Sequence, residues 1–173
     1  MKKKLVLALC AAAALGACSH HPHRLDDRRA DVLHSNPLLT VRGPGLISVA
    51  PEPIVLYLKE LKAPIVWRLP AGFTFPVRSE KGGRDGIEIL GLVIDGQGRA
   101  VPPGPEALKE TGLGLAREEA RAFKCEPANK EQTEFACVVE PTLVKKGVYR
   151  YAIRVLDKDG KLIEWDPNIF GME

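Results

Sequence analysis

Four histidines, four cysteines and two small groups of acids are the side chains of this 173-residue chain best suited to chemistry. His20, His21, His23 and His34 all fall near the start. Imidazoles as dense as His20, His21 and His23 can share a zinc, copper or nickel ion. No carboxylate or thiolate is spaced to complete a fixed site, so a polar, solvated stretch is the preferred reading. From residue 43 onward there is no histidine. That absence speaks against a Ser-His-Asp triad, a blue-copper centre and a histidine-rich zinc hydrolase.

Carboxylates are the remaining catalytic option. Glu118 and Glu119 are adjacent, so on a strand they would point to opposite faces. Glu131 and Glu134 flank a charged loop. Glycoside hydrolysis needs two acids about 5–10 Å apart, and nothing in the sequence brings such a pair together. Gly82-Gly83 and Gly96-Gln97-Gly98 read as hairpin turns, because neither follows a strand and opens a helix as a phosphate loop does. No enzyme activity and no cofactor are expected.

The N-terminus carries an address. Lys2, Lys3 and Lys4 precede an apolar run from Leu5 to Ala17. As a helix that run reaches about 20 Å, short of the roughly 30 Å hydrocarbon core of a bilayer. It fits the apolar centre of a secretory signal. The run ends Leu15-Gly16-Ala17-Cys18. At those four positions the chain resembles a bacterial lipoprotein precursor. The resemblance implies cleavage after Ala17, leaving Cys18 first, with a thioether-linked diacylglycerol and an acylated amine. Two or more acyl chains give stable anchoring where one is marginal. Ser19, in place of the aspartate of inner-membrane retention, implies the outer membrane, facing the periplasm.

Processing also changes the charge. The chain has 25 basic and 22 acidic groups; losing three signal lysines leaves 22 of each. A neutral mature chain removes the main support for nucleic-acid binding.

Cys10 leaves with the signal, so Cys125 and Cys137 remain as an even pair in an oxidising compartment. They sit beside Phe123 and Phe135 on stretches that alternate as strands do. A disulfide between neighbouring strands is expected. A redox pair is not, since no Cys-x-x-Cys motif is present.

The elements that must position these groups are mostly strands. Residues 18–43 read as the lipidated cysteine and a flexible tether, spanning about 25–30 Å. Residues 44–173 read as one domain. Ile65, Trp67 and Leu69 alternate, as do Phe135, Cys137 and Val139, and then Tyr149, Tyr151, Ile153 and Val155, with Arg150 and Arg154 outward. Phe73 and Phe75 mark a further candidate strand. Ile87–Ile94 is apolar on both faces, and Gly91 within it signals a bulge or a close backbone approach. Residues 115–123 are ambiguous: propensity favours helix and alternation favours a strand at the end. Trp67, Tyr149 and Tyr151 read as core, and Trp165–Phe170 as a closing segment.

Seven to nine short strands with frequent turns indicate an all-β, immunoglobulin-like sandwich. Gly147–Val155, followed by a turn at Gly160, resembles the late strands of bacterial immunoglobulin-like domains. The expected function is a non-enzymatic binding or assembly module, anchored through Cys18 and engaging an envelope protein, with Trp165 and Phe170 as candidate contacts. A small-ligand or glycan binder is the alternative.

Overall fold

The computed structural model describes residues 36–42, 46–61, 63–78, 84–108 and 112–173. The signal stretch lies outside them. Strands β1 (Leu38–Arg42), β2 (Leu46–Ala50), β3 (Ile54–Tyr57), β4 (Ile65–Arg68) and β5 (Ile87–Ile94) come first. They are followed by β6 (Gly114–Ala116), β7 (Phe123–Pro127), β8 (Glu134–Val139), β9 (Gly147–Leu156), β10 (Leu162–Trp165) and β11 (Asn168–Met172). Two 3-10 turns, Pro105–Leu108 and Arg117–Ala122, complete the secondary structure.

One sheet has the order β2-β1-β4-β8-β7 and the other β3-β11-β9-β5-β6, with β10 also paired to β9. Both sheets are mixed: β1 runs parallel to β4, and β3 runs parallel to β11. The fold is an all-β sandwich. Alternation explains the inner faces: Ile47 and Val49 of β2, Phe135, Cys137 and Val139 of β8, and Tyr149, Tyr151, Ile153 and Val155 of β9 enter one core. Trp67, Phe75 and Ile169 join them, fully excluded from solvent. Each such side chain contributes about 1.5–3 kcal/mol relative to exposure.

The chain changes sheets at both lateral edges. On one side β2 closes the first sheet and β3 the second, joined across Pro51-Glu52-Pro53. On the other side β6 and β7 do the same, joined by the 3-10 turn Arg117–Ala122. Each edge is therefore one continuous segment of chain.

Strand β5 carries a bulge between Ile89 and Gly91. The extra residue shifts the inward phase: Ile87 and Ile89 enter the main core, while beyond the bulge Leu92 does so and Val93 turns outward. Val93 then meets Val148 and Ala107 in a smaller apolar cluster on the outer face. Gly91 has φ +141°, and a Cβ there would lie 2.7 Å from the Ala116 carbonyl oxygen. Bulge and close approach are both present at this one residue.

Three expectations need correction, and the ambiguous stretch 115–123 turns out to hold both of its readings. Strand β1 falls inside the stretch 18–43 read as tether; Leu39 is buried and β1 pairs with β2 along its length, so the folded unit begins before residue 44. Phe73 and Phe75 start no strand. Only Thr74 bridges to Leu156, because Phe75 turns fully into the core. Residues 115–123 divide into strand, 3-10 turn and strand, so propensity and alternation each hold locally. Trp165–Phe170 is more than a closing segment: β11 lies inside its sheet, between β9 and β3.

Candidate functional site

Cys125 and Cys137 face each other across β7 and β8 and are bonded, with Cα atoms 4.0 Å apart. Closing a loop of 12-residue separation stabilises the fold by about 3 kcal/mol in the chain-entropy account. Cys137 is buried, and around it Phe75 packs edge-on to Phe135, and Phe123 edge-on to Tyr149. The bridge staples the edge strand β7 to the sheet.

Cys18 and the histidines His20, His21 and His23 lie outside the described residues. Among the described residues no group of three or more His, Cys, Asp or Glu is placed to hold a metal ion. The acids singled out above do not form a pair. Glu118 and Glu119 sit on a 3-10 turn instead of a strand. Glu119 is buried and accepts a 2.8 Å hydrogen bond from Lys145 Nζ. Glu134 accepts from Arg68 Nε at 2.8 Å. These carboxylates are held by cations, and Glu119 ties the sheet crossing to the β8–β9 connection.

Trp165 and Phe170 separate. Phe170, on β11, packs partly buried against the outer cluster of Val93 and Val148. Trp165 ends β10 and is 43 % exposed. Its indole N–H and the Asn168 main-chain N–H lie near the Glu52 carboxylate at the β2–β3 crossing and favour its charged form. Glu52 as a whole residue is exposed, yet the protein packed around its carboxyl desolvates it enough to raise it above its usual range. Asp166, in the turn between β10 and β11, is also raised, first by desolvation and then by the charge of Glu164.

The two lateral edges differ in chemistry. The β7 edge presents Lys124 and Glu126 and ends in Pro127, and β6 is only three residues long. Charges, proline and shortness are what keep strand edges from pairing. Strand β2 has none of these: Leu46, Ser48 and Ala50 are exposed and no charge interrupts them. Leu38 of β1 adds a second exposed leucine on the same outer face, at 63 % exposure. Strand β3 continues the edge with Val55 and Tyr57, again without charge.

Away from the Val93–Val148 cluster, the outer face of the second sheet carries a polar network. Arg154 does leave the core, as alternation predicts, yet it is only 2 % exposed. Its Nε donates to Glu164 at 2.8 Å, and its Nη1 donates to Glu88 at 2.7 Å and to the Asp85 carbonyl at 3.2 Å. Beside this network lies a cavity of about 440 Å³, bounded by Arg84, Glu88, Leu90, Leu115, Arg117 and Arg154. Sequence reasoning missed both. The available signal was an arginine on a central strand flanked by outward acids, Glu88 and Glu164, on neighbouring strands.

Compared with models of protein families, with curated proteins and with solved structures, the chain matches none of them. Fold and site together define a class: a disulfide-bridged β-sandwich with one uncharged lateral edge and an outer cavity bordered by three arginines and by leucines.

Proposed function

We propose that this chain is a lipid-anchored, non-enzymatic envelope lipoprotein. In this reading Cys18 holds it at the outer membrane, facing the periplasm, and the sandwich is a binding or assembly module for another envelope protein. The observation that carries the reading is the β2 edge: five residues, Leu46–Ala50, with no charge and, among the described residues, no strand hydrogen-bonded on their outer side. An extended segment of a partner can add there, taking affinity from main-chain hydrogen bonds and specificity from Leu46 and Leu38.

The test is crosslinking in cells from a photoreactive residue at Ser48, with Lys124 as the control on the protected edge. One dominant envelope protein captured at Ser48, and lost when Leu46→Lys or Cys18→Ala is combined with the Ser48 probe, is the expected result. Equal capture at both positions removes the edge from the account. Unchanged membrane fractionation of the Cys18→Ala protein removes the anchor. The alternative, small-ligand or glycan binding, draws on the outer cavity.

A further inference from the structure

We propose that the outer cavity beside β5 binds a small amphipathic monoanion, a carboxylate on a compact apolar body. Three features of the walls lead to this ligand class.

The first is charge. Three arginines and one glutamate border the cavity. Arg154 is already matched by Glu88 and Glu164 at hydrogen-bond distance. Arg84 approaches Glu164 only at 3.8 Å and remains 68 % exposed. Arg117 has no ion-pair partner among the described residues. The cavity thus keeps an excess of positive charge on guanidinium groups, which take carboxylates in a two-pronged fashion.

The second is apolar lining. Leu90 and Leu115 border the space as apolar residues, while Ile89, whose side chain enters the main core, borders it through its main chain. A volume of about 440 Å³ is at the lower end for ligand sites, which run from about 300 to 1,000 Å³. The third is open main chain. The Arg154 N–H donates to the Gly86 carbonyl at 2.7 Å, and antiparallel partners alternate between bonded and non-bonded pairs. Ile87 and Ile89, opposite Ile153 and Tyr151, therefore turn their N–H and C=O groups away from β9. Strand β6 pairs only with Leu92–Ile94 and stops short of them. The Ile89 main chain thus offers the ligand a donor and an acceptor, beside the guanidinium groups.

This proposal is independent of the β2 edge and stands even if that edge binds nothing. The probe is 4-phenylbutyrate, with 4-phenylbutyramide as its neutral analogue. Each is titrated by calorimetry into the full-length protein in lipid nanodiscs, and empty nanodiscs are subtracted. Saturable binding of the acid near the millimolar range is expected, with the amide about tenfold weaker. Arg117→Gln should weaken the acid about fivefold, while Ser48→Lys leaves it unchanged. Arg117 is exposed, so folding should survive the change, and an unshifted thermal midpoint checks this. No saturable binding, equal binding of acid and amide, or full affinity in Arg117→Gln would each overturn the assignment.

Discussion

Trp67 on β4 and Tyr151 on β9 meet across the gap between the two sheets, with ring centroids 5.6 Å apart and planes tilted by 50°. Both are fully excluded from solvent. The Trp67 indole nitrogen and the Tyr151 hydroxyl have no hydrogen-bond partner among the described residues. Burial holds the tyrosine hydroxyl far above its ordinary pKa, so it stays protonated.

An unmatched buried polar group costs about 1–3 kcal/mol. Tyr151→Phe is therefore expected to be neutral, or to stabilise the fold by up to about 1 kcal/mol. Trp67→Ala removes the facing ring and should cost about 3–5 kcal/mol. Urea unfolding of both variants is the check. A loss above about 1 kcal/mol in Tyr151→Phe would mean that the hydroxyl is bonded, for instance through a buried water.

The Arg154 network predicts an unequal response. Glu88 and Glu164 are 44 % and 38 % exposed, whereas Arg154 is 2 % exposed. Removing one carboxylate leaves the guanidinium one charged partner. Glu88→Gln or Glu164→Gln alone should cost about 1 kcal/mol or less. The double variant leaves a buried cation facing only amides and should cost about 2–4 kcal/mol. The coupling beyond additivity is the quantity to measure, by a double-mutant cycle in urea. Strict additivity would show that the two acids act separately on Arg154.

Gly91 allows a sharper comparison of two glycines. At Gly91 both the positive φ and the 2.7 Å approach to Ala116 oxygen oppose a side chain. At Gly98, φ is +78° but the space around a Cβ is open. Gly98→Ala should cost about 1 kcal/mol, from backbone strain alone. Gly91→Ala must also push β6 away from β5, and a total of about 3 kcal/mol or more is expected. Equal losses in thermal or urea unfolding would mean that β6 yields freely.

Much of the sandwich was legible because its strands alternate strongly. Phe135-Cys137-Val139 and Tyr149-Tyr151-Ile153-Val155 announced two core strands and placed the disulfide. Gly91 announced the bulge through a glycine inside an apolar run. Strand β1 was not legible: it lies between Pro37 and Gly43, and its partner β2 is needed to give Leu39 a core to enter. The binding-relevant features were hidden for the same reason. Whether β2 is an edge, or whether Glu88 and Glu164 flank Arg154, depends on strand order, and local periodicity carries no information about order.

The pH dependence of stability offers the last test, centred on Glu52. Its carboxyl is raised above 4.5 mainly by desolvation at the β2–β3 crossing. A raised acid disfavours its ionised form in the folded state. The folded state therefore keeps its full advantage below the unfolded value of 4.5 and loses it as pH rises through the folded pKa. Asp166 acts with the same sign, and Asp95 with the opposite one, since the Arg99 and Gln97 main-chain N–H groups lower it. Glu52→Gln keeps a neutral polar group of the same shape beside Trp165 and Asn168 and removes the titration. The variant should match wild type at about pH 4 and exceed it increasingly towards about pH 7. Urea curves across that range check it, and a gap that stays constant with pH would refute the assignment. The same group bears on the proposed edge. A strand docked beside Pro51-Glu52-Pro53 would desolvate Glu52 further, which favours the neutral acid. Partner capture at Ser48 should therefore strengthen as pH falls from about 7 to about 5, and Glu52→Gln should abolish that dependence.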